Sequence, residues 1–310
     1  MTAPQPPGGD PRDDVHELTE VLAPGPVNAL AGLLDLDTGG LPPGRLPPLW
    51  HCTHLLDRPV QAAIGPDGHP LHGGVVTPPG PGRRRMFAGG RVRTHTLLRT
   101  GEPATRRSRV LRTAEKDGRS GRLTFVTVEH TYLQNHEVAL VEEADIVYRD
   151  GATGADGAAP PPPAPPPPAP PPPEAPAQPG TTQGPTLALE VDETLLFRFS
   201  ALTYNAHRIH YDTGWAAHEG YPGLVVHGPL QVLLLGELLR RSGPGLVGHE
   251  LDYRLRRPAV GTQRLVAEPG EDGLAHGAQV RDAAGRVTAS GRIAPLATSP
   301  APTTPAGSAG

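Results

Sequence analysis

Residues 228–241 read GPLQVLLLGELLRR. Leu and Val recur on almost every side of this segment from Leu230 to Leu239, and a helix that is apolar all round is buried all round. The segments after it are strand-like, at 250–257, 262–268, 274–282 and 286–294, with a turn at Ala283, Ala284 and Gly285. A second helical pattern covers 194–204. An antiparallel sheet curled around one buried helix is the hot-dog architecture, and these patterns fit it.

The first half of the chain has similar grammar. Residues 13–35 carry Leu, Val and Ala at helical spacing. Strand candidates follow at 91–98, 105–113, 122–133 and 138–148, with a turn at Asp117 and Gly118. Gly101 and Gly261 each follow a strand and precede another within four residues, a weak internal repeat. The expectation is an α+β chain of two antiparallel sheets, each wrapped around a central helix. Between the halves, residues 160–179 read PPPPAPPPPAPPPPEAPAQP, with Pro at 14 of 20 positions. Proline fixes φ and removes the amide donor, so this tract is read as a stiff polyproline II spacer of roughly 60 Å. The expected organisation is a disordered tail over 1–12, a first unit over 13–150, a linker over 151–186, a second unit over 187–297 and a disordered tail over 298–310.

The chain has 310 residues and a net charge of −4, which argues against a dedicated nucleic-acid binder. Cys52 is the one cysteine, so neither an intrachain disulfide nor a cysteine-based metal site is available. That fits a reducing cytoplasm. The N-terminal MTAPQPPGGDPRDD has no basic start followed by an apolar run, so no secretory signal is visible. The greasiest run, 224–239, is interrupted by His227, Gly228, Pro229, Gln231, Gly236 and Glu237, too short and broken to span a bilayer. Lys116 is the one lysine. With the Ala, Gly and Pro bias, this reads as the coding bias of a GC-rich bacterial genome.

The chemistry concentrates between Phe197 and Leu235. A His-rich turn, NAHRIHYD (205–212), is followed by a glycine-containing loop and then by VHG (226–228), directly before the buried helix. Adding water to a double bond conjugated with a thioester needs a base for the water proton and donors for the enolate oxygen. His210 suits the base, since an unperturbed imidazole titrates near ~6.5. Asn205 could hold the water through its amide. The amides at the start of the helix beginning at Gly228 form a ready oxyanion site, and glycine there admits the thioester close to the backbone.

SALTYNAHRIHYD followed by GYPGLVVHGPLQ resembles the MaoC-like hydratases and dehydratases, in the branch of mesaconyl-C4-CoA hydratase and type 2 hydroxyacyl-thioester dehydratase. In the first half LPPLWH (46–51), GPDGHP (65–70), RRMFAGGRV (84–92), GRSGRLTFVTVEH (118–130) and EEADIVY (142–148) resemble the N-terminal dehydratase-like domain of the same proteins. The resemblance implies a double hot-dog that interconverts enoyl-CoA and 3-hydroxyacyl-CoA, with an (R)-specific type of hydratase site in the second half. It implies no cofactor beyond the coenzyme A of the substrate, which could equally be an acyl-carrier-protein thioester, and fits a monomer or a homodimer. The family pairs an Asp with a His five positions later. Here the His falls on His210, but Asn205 stands at the Asp position, and an amide cannot take or give a net proton. His210 is then expected to make both transfers, with Asn205 orienting the water and Gly228 giving the oxyanion amide. The first half, which has no counterpart of NAHRIHYD, is expected to bind acyl and coenzyme A groups without catalysing.

Several residues keep a second reading. Asp212 could join the site, but such an Asp more often caps a helical turn. His227 could bond substrate or simply pack at the helix entrance. Tyr204 and Arg208 could touch substrate, Arg208 by holding the free carboxylate of a mesaconyl-type acyl group; a surface ion pair is the plain alternative for Arg208. His207 and His210 have a spacing that zinc could use, although the resemblance implies no metal. Residues 83–122 hold 13 basic and 3 acidic side chains. They could attract coenzyme A phosphates or simply point from strands into water. A hot-dog thioesterase and a non-catalytic acyl-thioester-binding subunit remain the competing functions.

Overall fold

The computed structural model describes residues 15–71, 83–118, 121–150 and 184–297. The Pro-rich tract and both expected tails lie outside the described residues. Ten strands form one continuous antiparallel sheet: β1 (His16–Val21), β2 (Arg83–Thr94), β3 (Pro103–Gly118), β4 (Gly121–Gln134), β5 (Glu137–Asp150), β6 (Leu187–Val191), β7 (His249–Leu255), β8 (Gln263–Pro269), β9 (Gly277–Arg281) and β10 (Val287–Pro295). Their spatial order is β1-β3-β4-β5-β2-β7-β10-β9-β8-β6. Read inward from each edge, the halves repeat one order: β1-β3-β4-β5-β2 and β6-β8-β9-β10-β7. The two expected sheets are therefore joined, by pairing of β2 with β7, where Val92 faces Leu251.

The helix α4 (Gly228–Ser242) is buried at every residue from Leu230 to Leu239. One side packs on β6, β8, β9 and β10. The other side meets the N-terminal half, where Leu49 fills a notch over Gly236; a Cβ added to Gly236 would lie 2.3 Å from Leu49 Cδ1. Glu237 is tolerated in this core because Trp50 Nε1–H donates to its Oε1 at 2.9 Å and Arg240 pairs with it at 2.7 Å.

The helix expected over 13–35 is shorter than its pattern. HELTEV (16–21) alternates partly buried and exposed side chains and pairs with β3 as an edge strand. Only α1 (Pro24–Leu33) is helical, started by proline in its first turn. It packs against α2 (Glu193–Thr203) and the 3₁₀ turn Trp50–Thr53, not within the N-terminal sheet. Among its described residues that half has no buried helix of α4's length. Neither β1 nor the short β6 is among the strand candidates, and β2 begins eight residues before the candidate at 91–98, whereas β3, β4, β5 and β7 to β10 overlap their candidates.

The basic strands of 83–122 are largely tied up in cross-strand ion pairs. Arg91 and Arg93 both meet Glu143, Arg93 also reaches Glu250 on β7 at 2.7 Å, and Arg109 pairs with Glu129 at 2.8 Å. Among the described residues no helix is long and apolar enough to cross a membrane.

Candidate active site

Asp192 caps α2 at its start, and Tyr204 ends it in the left-handed region at φ 52°. Asn205 Oδ1 then accepts the backbone N–H of His207 at 3.0 Å, a local turn bond typical of Asn. A single 3₁₀ turn, Arg208–His210, follows, and Asp212 caps α3 (Thr213–His218) by accepting Trp215 N–H. Three hydrogen-bonding residues thus bend the chain sharply enough to aim His210 inward.

His210 Nδ1–H donates to the Val225 carbonyl at 2.7 Å. The proton is held on Nδ1, which leaves Nε2 with its lone pair. Burial drives the His210 pKa down to about 3 against the pull of that carbonyl, so the ring is a neutral base at physiological pH. His227 stacks on it, with ring centroids 3.6 Å apart and planes at 19°. His227 is itself fully buried, shares a hydrogen bond with Ser200 at 2.9 Å, and is held neutral by desolvation. It acts as a fixed backing for the His210 ring.

The N-terminal half reaches this turn through residues 65–70. Asp67 C=O accepts Arg208 N–H at 2.9 Å, and the Arg208 guanidinium donates to Pro66 C=O at 3.0 Å. Between them Gly68, at φ +91°, lies so close that an added Cβ would sit 1.7 Å from Ala206 O. The next residue, His69, donates its Nδ1–H to Asp67 Oδ2 at 3.0 Å. Its ring lies 4.1 Å from His207, whose ring lies 5.5 Å from His210. Burial works to raise the Asp67 pKa, but its hydrogen bonds with His69 overcome this and hold it at about 2.

His69, His207 and His210 border a cavity of about 490 Å³ between the halves. Asn205, His210 and Gly228 line it from the C-terminal half, and His69, His51, Cys52 and Glu142 from the N-terminal half. Glu142 pairs with His51 at 3.1 Å. Arg85, Arg256 and Arg257 supply positive charge to its wall. Gly228 is the first residue of α4, and a Cβ there would lie 2.4 Å from Leu255 Cδ1. A larger residue there would need the Leu255 and Phe87 side chains to shift beside the helix start. Burial pushes the Cys52 thiol well above its usual range, so this half-buried residue packs against the core and is a poor nucleophile.

The model of the hydroxyacyl-thioester dehydratase type 2 family matches residues 50–261. The chain belongs to that family. A mesaconyl-C(4)-CoA hydratase of Chloroflexus aurantiacus is 45% identical over 248 residues, covering 79% of this chain and 82% of the relative. The fold is shared with a MaoC-like dehydratase of Phytophthora capsici at TM-score 0.61 and 13% identity, over 92% of this chain and 96% of that one. HtdX of Mycobacterium tuberculosis matches at TM-score 0.56 and 15% identity, over 91% and 100%. The fold is the double hot-dog. As a member of this family, the protein is a hydro-lyase of acyl thioesters.

The expected site residues separate within the cavity. Asn205, His210 and Gly228 come together on one cavity wall, whereas Tyr204, Arg208 and His227 are not among its lining residues. Tyr204 is the exposed cap of α2. Arg208 is held by Asp212 at 3.0 Å and lies over the Trp215 ring at 4.3 Å, so the ion-pair reading describes it. Asp212 is the capping residue that its alternative reading gave. The zinc option on His207 and His210 meets a different arrangement. Ligand-type atoms of Asp67, His69 and His207 lie within 4.8 Å of one another, but Asp67 and His69 bond each other, and His207 bonds Glu219 at 3.3 Å. His69 and Arg85 were not singled out from sequence. GPDGHP reads as a turn, and nothing local shows that it docks on residues 206–208.

Proposed function

We propose that the protein adds water to enoyl-CoA thioesters, or removes it from 3-hydroxyacyl-CoA, at His210. The observation that carries this is the His210 ring itself: Nδ1 is fixed on the Val225 carbonyl, and the ring lines the cavity beside Asn205 and the start of α4. Asn205 spends its amide oxygen on the turn, which leaves its NH₂ to hold the water oxygen while His210 Nε2 takes the proton. In the first turn of α4 the N–H groups of Gly228 and Leu230 precede the first intrahelical bond, which Gln231 makes to His227, and Pro229 has no N–H; the two carry partial positive charge. They stabilise the thioester enolate. This resembles a type 2 site in which the amide of Asn205 has replaced a carboxylate.

The acyl group in this reading carries a second carboxylate, as in mesaconyl-CoA, since the Chloroflexus aurantiacus relative bears that name. Arg85, in the cavity wall, replaces Arg208 as its reader, and Arg256 and Arg257 attract the coenzyme A phosphates. The half at 13–150 contributes walls and charge, and the half at 187–297 contributes the base. The lone thiol fits work in the cytoplasm.

The test follows loss of the conjugated double bond and release of free thiol in parallel, with mesaconyl-CoA and crotonyl-CoA. Loss of the double bond without thiol is expected, and His210→Ala should lower kcat by about 10²–10⁴-fold. Thiol release by the wild-type protein would replace this reading with a thioesterase.

A further inference from the structure

The geometry points to a second proton-transfer group in the cavity. We propose that His69 is a catalytic residue that serves the substrate α-carbon while His210 serves the water, with Asp67 as its positioning residue. This rests on the hydratase reading above. Asn205 cannot carry a proton, so the site otherwise has one imidazole for two transfers. His69 lines the same cavity as His210. Its Nδ1–H is fixed on the Asp67 carboxylate at 3.0 Å, which leaves Nε2 for substrate. The carboxylate stabilises an imidazolium at His69, whereas His210 bonds only a neutral carbonyl through Nδ1. The loop is held rigidly: its backbone bonds residue 208, and Gly68 admits no side chain against Ala206.

The steps balance as follows in hydration. In the form that turns over, which burial of His69 makes the minor one near neutral pH, the two imidazoles share one proton beyond their neutral forms, and it begins on His69. His210 Nε2 takes a proton from water as the C3–O bond forms and the π pair moves onto the thioester oxygen. The enolate pair then returns, the His69 Nε2–H bond breaks, and the α-carbon takes that proton. His210 then gives its proton to solvent water and His69 takes one from solvent, which restores the starting form. The N-terminal half thereby joins the chemistry as well as the binding.

The groups facing His69 are Asp67, Arg85 and His207, with Glu219 bonded to His207 on its far side. Burial drives the His69 pKa down to about 4, against the upward pull of Asp67. The imidazolium is the active form, so activity falls as pH rises through the His69 pKa. Removing the Asp67 carboxylate lowers that pKa and moves the fall to lower pH.

The experiment uses the full chain, with His69→Gln, Asp67→Asn and His210→Ala, hydration kinetics across pH, and exchange of the α-hydrogen of a 3-hydroxyacyl-CoA in D₂O. His69→Gln is expected to lower kcat by about 10²-fold or more with KM and melting temperature little changed, and to lose α-exchange. His210→Ala should lose hydration yet keep α-exchange, and Asp67→Asn should shift the pH limb downward. The proposal is overturned by wild-type kcat in His69→Gln, by α-exchange that disappears in His210→Ala but survives in His69→Gln, or by a stoichiometric metal ion on Asp67, His69 and His207. A wild-type protein that hydrates no thioester would instead remove the function reading itself.

Discussion

The two halves of the sheet share one strand order but fill the interval between their first and second strands differently. Between β6 and β7 lie α2, the His210 turn, α3 and α4. Among the described residues between β1 and β2 lie the short α1, three 3₁₀ turns and the loop carrying His69. The C-terminal half therefore owns the buried helix and its free amides, while the N-terminal half supplies what that helix packs against. Leu49 sits over Gly236 and Trp50 bonds Glu237, so one helix forms the core of both halves. The duplicated sheet holds two unlike sets of side chains face to face across one cavity.

Breaking the contact between those sets should have the largest effect. Gly68→Ala would place a Cβ 1.7 Å from Ala206 O at a residue with φ +91°. The loop must leave residues 206–208, taking Asp67 and His69 with it. A loss of roughly 3 kcal/mol in stability is expected, from overpacking and backbone strain together, with hydration reduced as well. Thermal denaturation and the double-bond assay measure both. An unchanged melting temperature would show that the halves do not depend on this joint.

The join at α4 should show a smaller effect. Trp50→Phe keeps the packing but removes one donor from buried Glu237, which retains Arg240 at 2.7 Å. A loss of about 2 kcal/mol is expected, typical for a bond to a charged group, visible in denaturant unfolding with kcat little altered. Full stability in this variant would mean that Arg240 alone satisfies the carboxylate.

The same contrast explains what could be read from the sequence. The helix of 228–241 was legible because its apolar residues surround it, and the long strands because alternation is a local signal. HELTEV was absorbed into a helix because Leu18 and Val21 share helical spacing with the residues of α1. The edge strand β6 was missed because LALEV is short and stands beside the Pro-rich tract. In the site, His210, Asn205 and Gly228 were legible because two motifs of one half carry them. His69 was not, because its meeting with His207 joins segments far apart in the chain. The sequence leaves Arg208 open between a substrate contact and a surface ion pair, and the structure shows its guanidinium held by Asp212 and the Pro66 carbonyl.

Arg208 gives the smallest expected change and the sharpest comparison with Arg85. Its guanidinium is about a third exposed and paired with Asp212 four residues on, where surface ion pairs contribute about 0–1 kcal/mol. Arg208→Gln should leave KM for mesaconyl-CoA within about threefold and change stability by less than ~1 kcal/mol. Arg85→Gln, on the cavity wall, should raise KM for mesaconyl-CoA about tenfold while sparing crotonyl-CoA, since a lost charge-assisted bond is worth about 1.5 kcal/mol or more. A tenfold KM effect at Arg208 with none at Arg85 would reverse the assignment. It would mean that the turn opens on binding and frees the guanidinium that Asp212 now holds.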